Sequence, residues 1–183
     1  MNVDQIILQL KKTRSANGVS RVPSQPGIYI FHLNGDASVG SFQLNRDRAL
    51  YVGSSSNLAE REFDNHFNSE QTGFSTLRRS LGAILRIQLD LTVLPRGSGS
   101  SESNFRNYKF QSDGEKRLTN WMKQYLDFGF CEVHDYDTQE RLVIERLQPL
   151  LNLTNWKNPA AVTIKELRKA CADEARLKFA SSL

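Results

Sequence analysis

The chain opens with an apolar rhythm of helical period. Within residues 3–13, Ile6, Ile7 and Leu10 fall at i, i+1 and i+4, which predicts one buried face of a short helix. A turn-rich stretch separates this from a continuous apolar run, Gly27 to Leu33, that begins just after Pro26. Its β-branched and aromatic content predicts a strand. Asn34-Gly35-Asp36 is a turn signal. After a polar loop, Ala49 to Gly53 predicts a second short strand. Two strands joined this way form a hairpin with a long loop.

Asn57-x-x-Glu60 fits a capping box, so a helix is expected from near Leu58, with Ala59, Phe63, His66 and Phe67 as its stripe. A further helix is expected over 75–86 and a strand over 87–94. The Gly/Ser-rich stretch 97–103 predicts a flexible loop. Then come a strand over 106–111, a helix over 115–126 and a strand over 128–134. Asp137-x-x-Glu140 opens a helix that Pro149 ends, and 163–179 is a charged amphipathic helix. There is no internal repeat. Mixed strands and helices with an early hairpin predict an α+β fold built on a small, mostly antiparallel sheet.

Composition narrows the class. The 183 residues are 39% hydrophobic and 24% charged, the balance of a globular domain with a real core. No apolar run approaches the roughly 20 residues of a bilayer span. The first residues carry an early acid and only a short apolar patch. Neither a membrane span nor a signal peptide is expected, and the expected location is cytoplasmic. Cys131 and Cys171 form no C-x-x-C pair and read as idle thiols. His32, His66 and His134 lack zinc-site spacing, and no P-loop, dinucleotide or nucleophile-elbow motif is present.

The net charge is +4. Residues 78–125 carry nine Lys or Arg against four Asp or Glu, with Phe105, Tyr108 and Phe110 interleaved. This is either a nucleic-acid contact element or a solvated surface over core aromatics.

Candidate chemistry lies in four places. Tyr29 and Tyr51 sit on the two predicted strands beside Gly27 and Gly53, where missing side chains let another backbone approach. They either face a phosphate or pack as ordinary strand tyrosines. Arg61, ten residues after Tyr51, either clamps that phosphate with its planar fork or is solvated beside Glu60 and Glu62. Glu140 shares a helix face with Val143, Ile144 and Leu147, whereas Glu145 points to water. An inward carboxylate either holds a hard cation together with phosphate oxygens or completes a capping box with Asp137. Asn152, after Pro149, either ties its segment back to the site or is a turn residue.

Gly27-Ile28-Tyr29 followed by Tyr51-Val52-Gly53 resembles the two signature tripeptides of the GIY-YIG nuclease superfamily, with Val for Ile in the second. Arg61 matches the family's helix arginine in spacing. Glu140, Pro149 and Asn152 match its metal-binding glutamate and the Pro and Asn that follow, and the helix Ser75–Leu81 is similar to one in several members. The resemblance covers roughly residues 26–152.

It implies a three-stranded antiparallel sheet flanked by helices, and a DNA endonuclease using Mg2+ or Mn2+. Glu140 would hold the metal. Tyr29 would act as base or orient the attacking water, and Tyr51 would position water or phosphate. Arg61 would stabilise the transition state, and Asn152 would support the site. Gly53, Ser54, Arg78, Arg79, Arg106 and Lys109 are the expected nucleic-acid contacts. The chain departs from the pattern at Asn65, where many members have His or Tyr. His66 follows one residue later, as either a proton carrier or a core-edge histidine.

On this basis residues 1–155 are expected to form the nuclease domain, with an insert at about 87–127, and 156–183 a C-terminal helical extension. DNA is the expected partner, with a homo-oligomer or an accessory recognition protein as further options. Two other functions stay open: a catalytically inactive nucleic-acid-binding protein on the same scaffold, and a protein-interaction module.

Overall fold

A computed structural model describes residues 1–16, 22–35, 37–60 and 70–181. The chain divides into two compact units, one of residues 1–63 and 121–159, the other of 64–120 and 160–183.

The first unit is an antiparallel sheet flanked by helices. Its elements are α1 (Val3–Lys12), β1 (Ser15–Ala16), β2 (Gly27–Leu33), β3 (Ala49–Ser55) and α2 (Leu58–Glu60). After the second unit's first segment come β6 (Leu126–Glu132) and α6 (Tyr136–Leu147). The sheet order is β1-β6-β2-β3, three seven-residue strands with a two-residue edge.

The apolar run of β2 has no polar side because it is the central strand, buried along its whole length. Strand alternation sends Ile28 and Ile30 to one face, where they join Val52, Cys131, Ile6, Leu10 and the Val143/Ile144/Leu147 stripe of α6. The other face carries Tyr29, Phe31 and Phe128. Helix α1 starts at Asn2 with both halves of a capping box formed. At its far end the Thr13 hydroxyl donates to Phe130 O at 2.7 Å and accepts from Phe130 N at 2.8 Å, which fixes α1 to β6.

His32 is 2% exposed. Its Nδ1 faces Asp47 O at 2.9 Å, so that nitrogen carries the proton, and Nε2 is a buried lone pair without a partner among the described residues. Burial pushes its pKa below the ordinary value, against the opposing effect of the Asp47 carbonyl. Lys11, Arg14, Asp47 and Asp127 form two ion pairs nearby. The unfolded chain therefore binds this proton more readily than the folded one. Stability from a neutral His32 is complete above the unfolded pKa of about 6.5 and is lost as pH falls through the folded value. We expect the parent's melting-temperature advantage over His32→Asn, which keeps a donor to Asp47 O, to shrink from pH 7.5 to pH 5. A pH-independent difference would contradict this reading.

The second unit holds a 3-10 turn (Thr72–Phe74), α3 (Thr76–Leu85), β4 (Val93–Leu94), α4 (Glu102–Arg106), β5 (Lys109–Phe110), the residues 112–120 of α5 (Ser112–Tyr125), and α7 (Ala161–Ala180). β4 and β5 form a two-stranded antiparallel ladder.

Three expectations change here. The predicted strand over 87–94 is a chain of turns up to Asp90, followed by the two-residue β4. Leu89 N donates to Leu85 O, Leu91 N donates to Arg86 O, and Asp90 has φ +49°. Arg117 donates to the Leu89 and Asp90 carbonyls, so side-chain bonds replace strand pairing. The Gly/Ser stretch leads into α4, because the Ser101 hydroxyl caps Asn104 N at 3.3 Å. The strand expected over 106–111 shrinks to β5.

The buried centre of this unit is ionic. Arg78 and Glu115 are both 0% exposed, and Arg78 Nη2 lies 2.7 Å from Glu115 Oε2. The Thr72 hydroxyl donates to the same carboxylate at 2.7 Å, and Phe110 N donates to its other oxygen at 3.0 Å. Arg79 is buried too, donating to Gly73 O at 2.9 Å. A charge removed from water persists only when its bonds are met in this way. Cys131 and Cys171 are free and buried, and burial raises both thiol pKa values.

Candidate active site

The two tyrosines share one sheet face. Tyr29 stands opposite Gly53 and Phe31 stands opposite Tyr51. Tyr29 is 1% exposed, with its ring 6.3 Å from that of Tyr51 and 6.0 Å from those of Phe31 and Phe128. Its phenol lies over Gly53: a Cβ there would meet the Tyr29 hydroxyl at 2.4 Å and Cζ at 2.5 Å. Gly53 is thus a glycine because Tyr29 occupies its side-chain space. The ring packs against those of Tyr51, Phe31 and Phe128, so room for a Cβ comes only by displacing packed aromatics. Gly53→Ala should cost about 1–3 kcal/mol by overpacking and shift the Tyr29 ring. Denaturant unfolding measures this; a midpoint equal to the parent's would contradict the packing described.

Glu140, on α6, meets the other face of the sheet at Ser54, one residue along β3 from Gly53. The Ser54 hydroxyl donates to its Oε2 at 2.6 Å, a short charge-assisted bond. Helix α6 begins at Tyr136 with Asp135 at the cap and no side-chain cap bond. The capping-box alternative for Asp137 and Glu140 therefore falls away. Glu145 is exposed, as expected.

Asn152 is buried, and its amide brackets Val52. Oδ1 accepts from Val52 N and Nδ2 donates to Val52 O, both at 2.8 Å. Only a side chain with donor and acceptor in one plane replaces a strand partner in this way. Leu151 N adds a bond to Leu50 O. The Asn152 carbonyl accepts in turn from Trp156 Nε1 at 2.8 Å and Asn158 Nδ2 at 3.0 Å. Residues 50–54 thus carry the Tyr29/Tyr51 pair on one face, Ser54/Glu140 on the other, and a buried asparagine clamp between. Asn57 Oδ1 accepts from Glu60 N at 3.3 Å, the expected start of α2. Arg61 and His66 lie outside the described residues.

The expected nucleic-acid contacts separate. Arg106 is exposed and Lys109 half-buried, with no ion-pair partner for either among the described residues. Arg78 and Arg79 are in the core of the second unit, so their expected role as contacts is corrected: their guanidinium groups are spent on Glu115 and on backbone carbonyls. Phe105, Tyr108 and Phe110 are core aromatics as well. The pairing of Ser54 with Glu140 escaped the sequence reading. Its signal was available: alternation from Tyr51 puts residue 54 on the core face, where a serine needs a partner.

Among the described residues no group of three His, Cys, Asp or Glu side chains could hold a metal ion. The donor set fits a hard cation held by one carboxylate with water and phosphate oxygens, and does not fit an all-protein cage.

A short antiparallel sheet thus carries a tyrosine over a glycine on one face, while the next residue of the strand bonds a carboxylate on the other. The GIY-YIG catalytic domain family matches residues 31–171, more than half of the chain. The chain belongs to this family, and its function is of the nuclease type, with nucleic acid as substrate. The matched range includes Tyr51–Gly53, Arg61, Glu140 and Asn152 and begins two residues after Tyr29. Neither a curated protein nor a solved structure matches the chain. No described helix is long and apolar enough to cross a membrane.

Proposed function

We propose that this chain is a divalent-cation-dependent endonuclease that hydrolyses phosphodiester bonds of DNA. The carrying observation is the Ser54–Glu140 bond beside Gly53, over which the Tyr29 phenol lies. Glu140 is the residue that would hold Mg2+ or Mn2+, and the bound cation would supply neutralisation of charge on the phosphate.

Water attacks phosphorus, the bond from phosphorus to the leaving sugar oxygen breaks, and that oxygen takes a proton from solvent. Tyr29 orients the attacking water as a neutral phenol or, once its own proton has gone to solvent, accepts that water's proton as a phenolate. Tyr51 orients the phosphate, and Arg61 stabilises the charge of the transition state. His66 is a candidate proton carrier, and Asn152 holds β3 in place. Gly53 lets the Tyr29 phenol lie against β3, one residue from the Ser54–Glu140 bond. Arg106 and Lys109 are the remaining candidates for backbone contacts.

Cleavage of duplex, branched and single-stranded DNA by the full chain, with Mg2+ and with excess chelator, tests the reading. Chelator-sensitive product supports it. Salt-dependent binding with no cleavage under any divalent cation would leave only a binding protein. Ser54→Ala should cost about 10- to 100-fold in activity and raise the cation concentration for half-maximal rate, as expected when the orienting partner of a metal ligand is lost. Ser54→Thr keeps the hydroxyl and should restore most of the rate. An unchanged cation requirement in Ser54→Ala would contradict this role.

A further inference from the structure

The second unit has a groove of about 290 Å³ lined by Glu70, Gly73, Phe74, Arg96, Gly97 and Lys109. One of its lining residues is an exposed aromatic. Phe74 is 59% exposed, the only aromatic among the exposed large hydrophobics described. A single exposed aliphatic side chain needs no explanation. Phe74 differs because Arg96 lies over its ring, 5.1 Å from guanidinium carbon to centroid, and because both line one cavity.

The platform is rigidly held. Phe74 ends the 3-10 turn, whose Gly73 carbonyl accepts from buried Arg79 at 2.9 Å and from Arg96 at 3.2 Å. Thr72 of the same turn is tied to the Arg78–Glu115 pair. A Cβ on Gly73 would meet Arg96 Cδ at 2.8 Å, so glycine is what lets that arginine lie close. Arg96 also reaches the Ser103 hydroxyl at 3.4 Å. Lys109, on the same lining, has no ion-pair partner among the described residues. Glu70, the one acid on the wall, accepts from the Ser112 hydroxyl at 3.0 Å. Two cations against one engaged carboxylate leave the groove positive.

We infer that this groove binds one unpaired nucleotide of the DNA substrate, with its base stacked on Phe74 and its flanking phosphates on Arg96 and Lys109. Bases stack on aromatic rings and guanidinium planes only when unpaired. The volume lies at the small end of ligand pockets, suited to one base rather than a duplex. The inference rests on the nuclease reading and deepens it, because the preferred substrate then carries unpaired bases.

The test is fluorescence anisotropy of a dye-labelled oligo-dT and of the same strand with a run of abasic sites. It is done in chelator, so that binding is read without cleavage, on the full-length parent, Phe74→Ala, Phe74→Trp and Lys109→Ala. Phe74→Ala should weaken oligo-dT binding roughly 5- to 100-fold and leave abasic-strand binding unchanged, and Phe74→Trp should retain affinity. Lys109→Ala should lower the slope of log affinity against log salt by about 0.7. Phe74→Ala binding oligo-dT as the parent does, equal losses on intact and abasic strands, or a parent that binds no single strand would each overturn the groove. Duplex plasmid cleavage, assayed in parallel, separates the two readings. Cleavage with a Phe74-independent strand affinity sinks the groove alone, and Phe74-dependent binding without any cleavage sinks the nuclease reading alone.

Discussion

Glu140→Gln should leave the chain folded and lower DNA cleavage by about 10³-fold or more, the scale on which losing one transition-state charge contact is felt. The substitution preserves shape, and the amide can still bond the Ser54 hydroxyl, so α6 keeps its seat on the sheet. What disappears is the negative charge that would hold a cation beside the phosphate. Glu145→Gln, on the exposed side of the same helix, is the matched control and should cleave as the parent does. Equal rates for parent and Glu140→Gln would remove the carboxylate from the chemistry. Matching thermal melts would show that any loss is not unfolding.

The largest effect on stability is expected at the buried ion pair of the second unit. Among the described residues, Arg78→Met leaves the Glu115 carboxylate in the core with the Thr72 hydroxyl and Phe110 N as partners. Stranding a buried charge costs about 3–5 kcal/mol. Glu115→Leu should also be destabilising, because it removes the carboxylate that offsets the buried Arg78 charge. The double variant Arg78→Met/Glu115→Leu removes both charges and should recover much of the loss, because paired burial contributes little net stability over an apolar pair. Additive losses in denaturant unfolding would contradict the coupling. The same series separates Arg78 from nucleic-acid contact, because a surface contact would change binding and leave the unfolding midpoint where it is.

How much of this was legible in the sequence depends on what each feature is made of. β2 was readable end to end as a strand, from its β-branched and aromatic content after Pro26; its central, fully buried place came only with the sheet order. The α6 stripe of Val143, Ile144 and Leu147 was equally plain, and it put Glu140 at the right edge. The segment over 87–94 misled because Ile87, Leu89 and Leu91 alternate like a strand, while Arg117, far along the chain, captures the carbonyls and closes turns. Ser101 was hidden among serines, though only it caps α4.

Charge sign says nothing of depth. Arg78 and Arg79 read as surface cations until Glu115 and the Gly73 carbonyl came into contact with them. At the site, the order of Tyr29, Tyr51, Glu140 and Asn152 was visible in the chain. The Ser54–Glu140 bond and the fit of Tyr29 over Gly53 depend on strand register, which composition does not carry.

The central claim is that Tyr29 of β2, over Gly53, and Glu140 of α6, bonded to Ser54, act on the same phosphodiester. Single-turnover cleavage by Tyr29→Phe, Glu140→Asp and the double variant tests it most directly. Groups that work as one unit lose activity together, so the double variant should be slower than the worse single variant by less than about 10-fold. Losses that multiply in full would show two independent contributions and contradict the account.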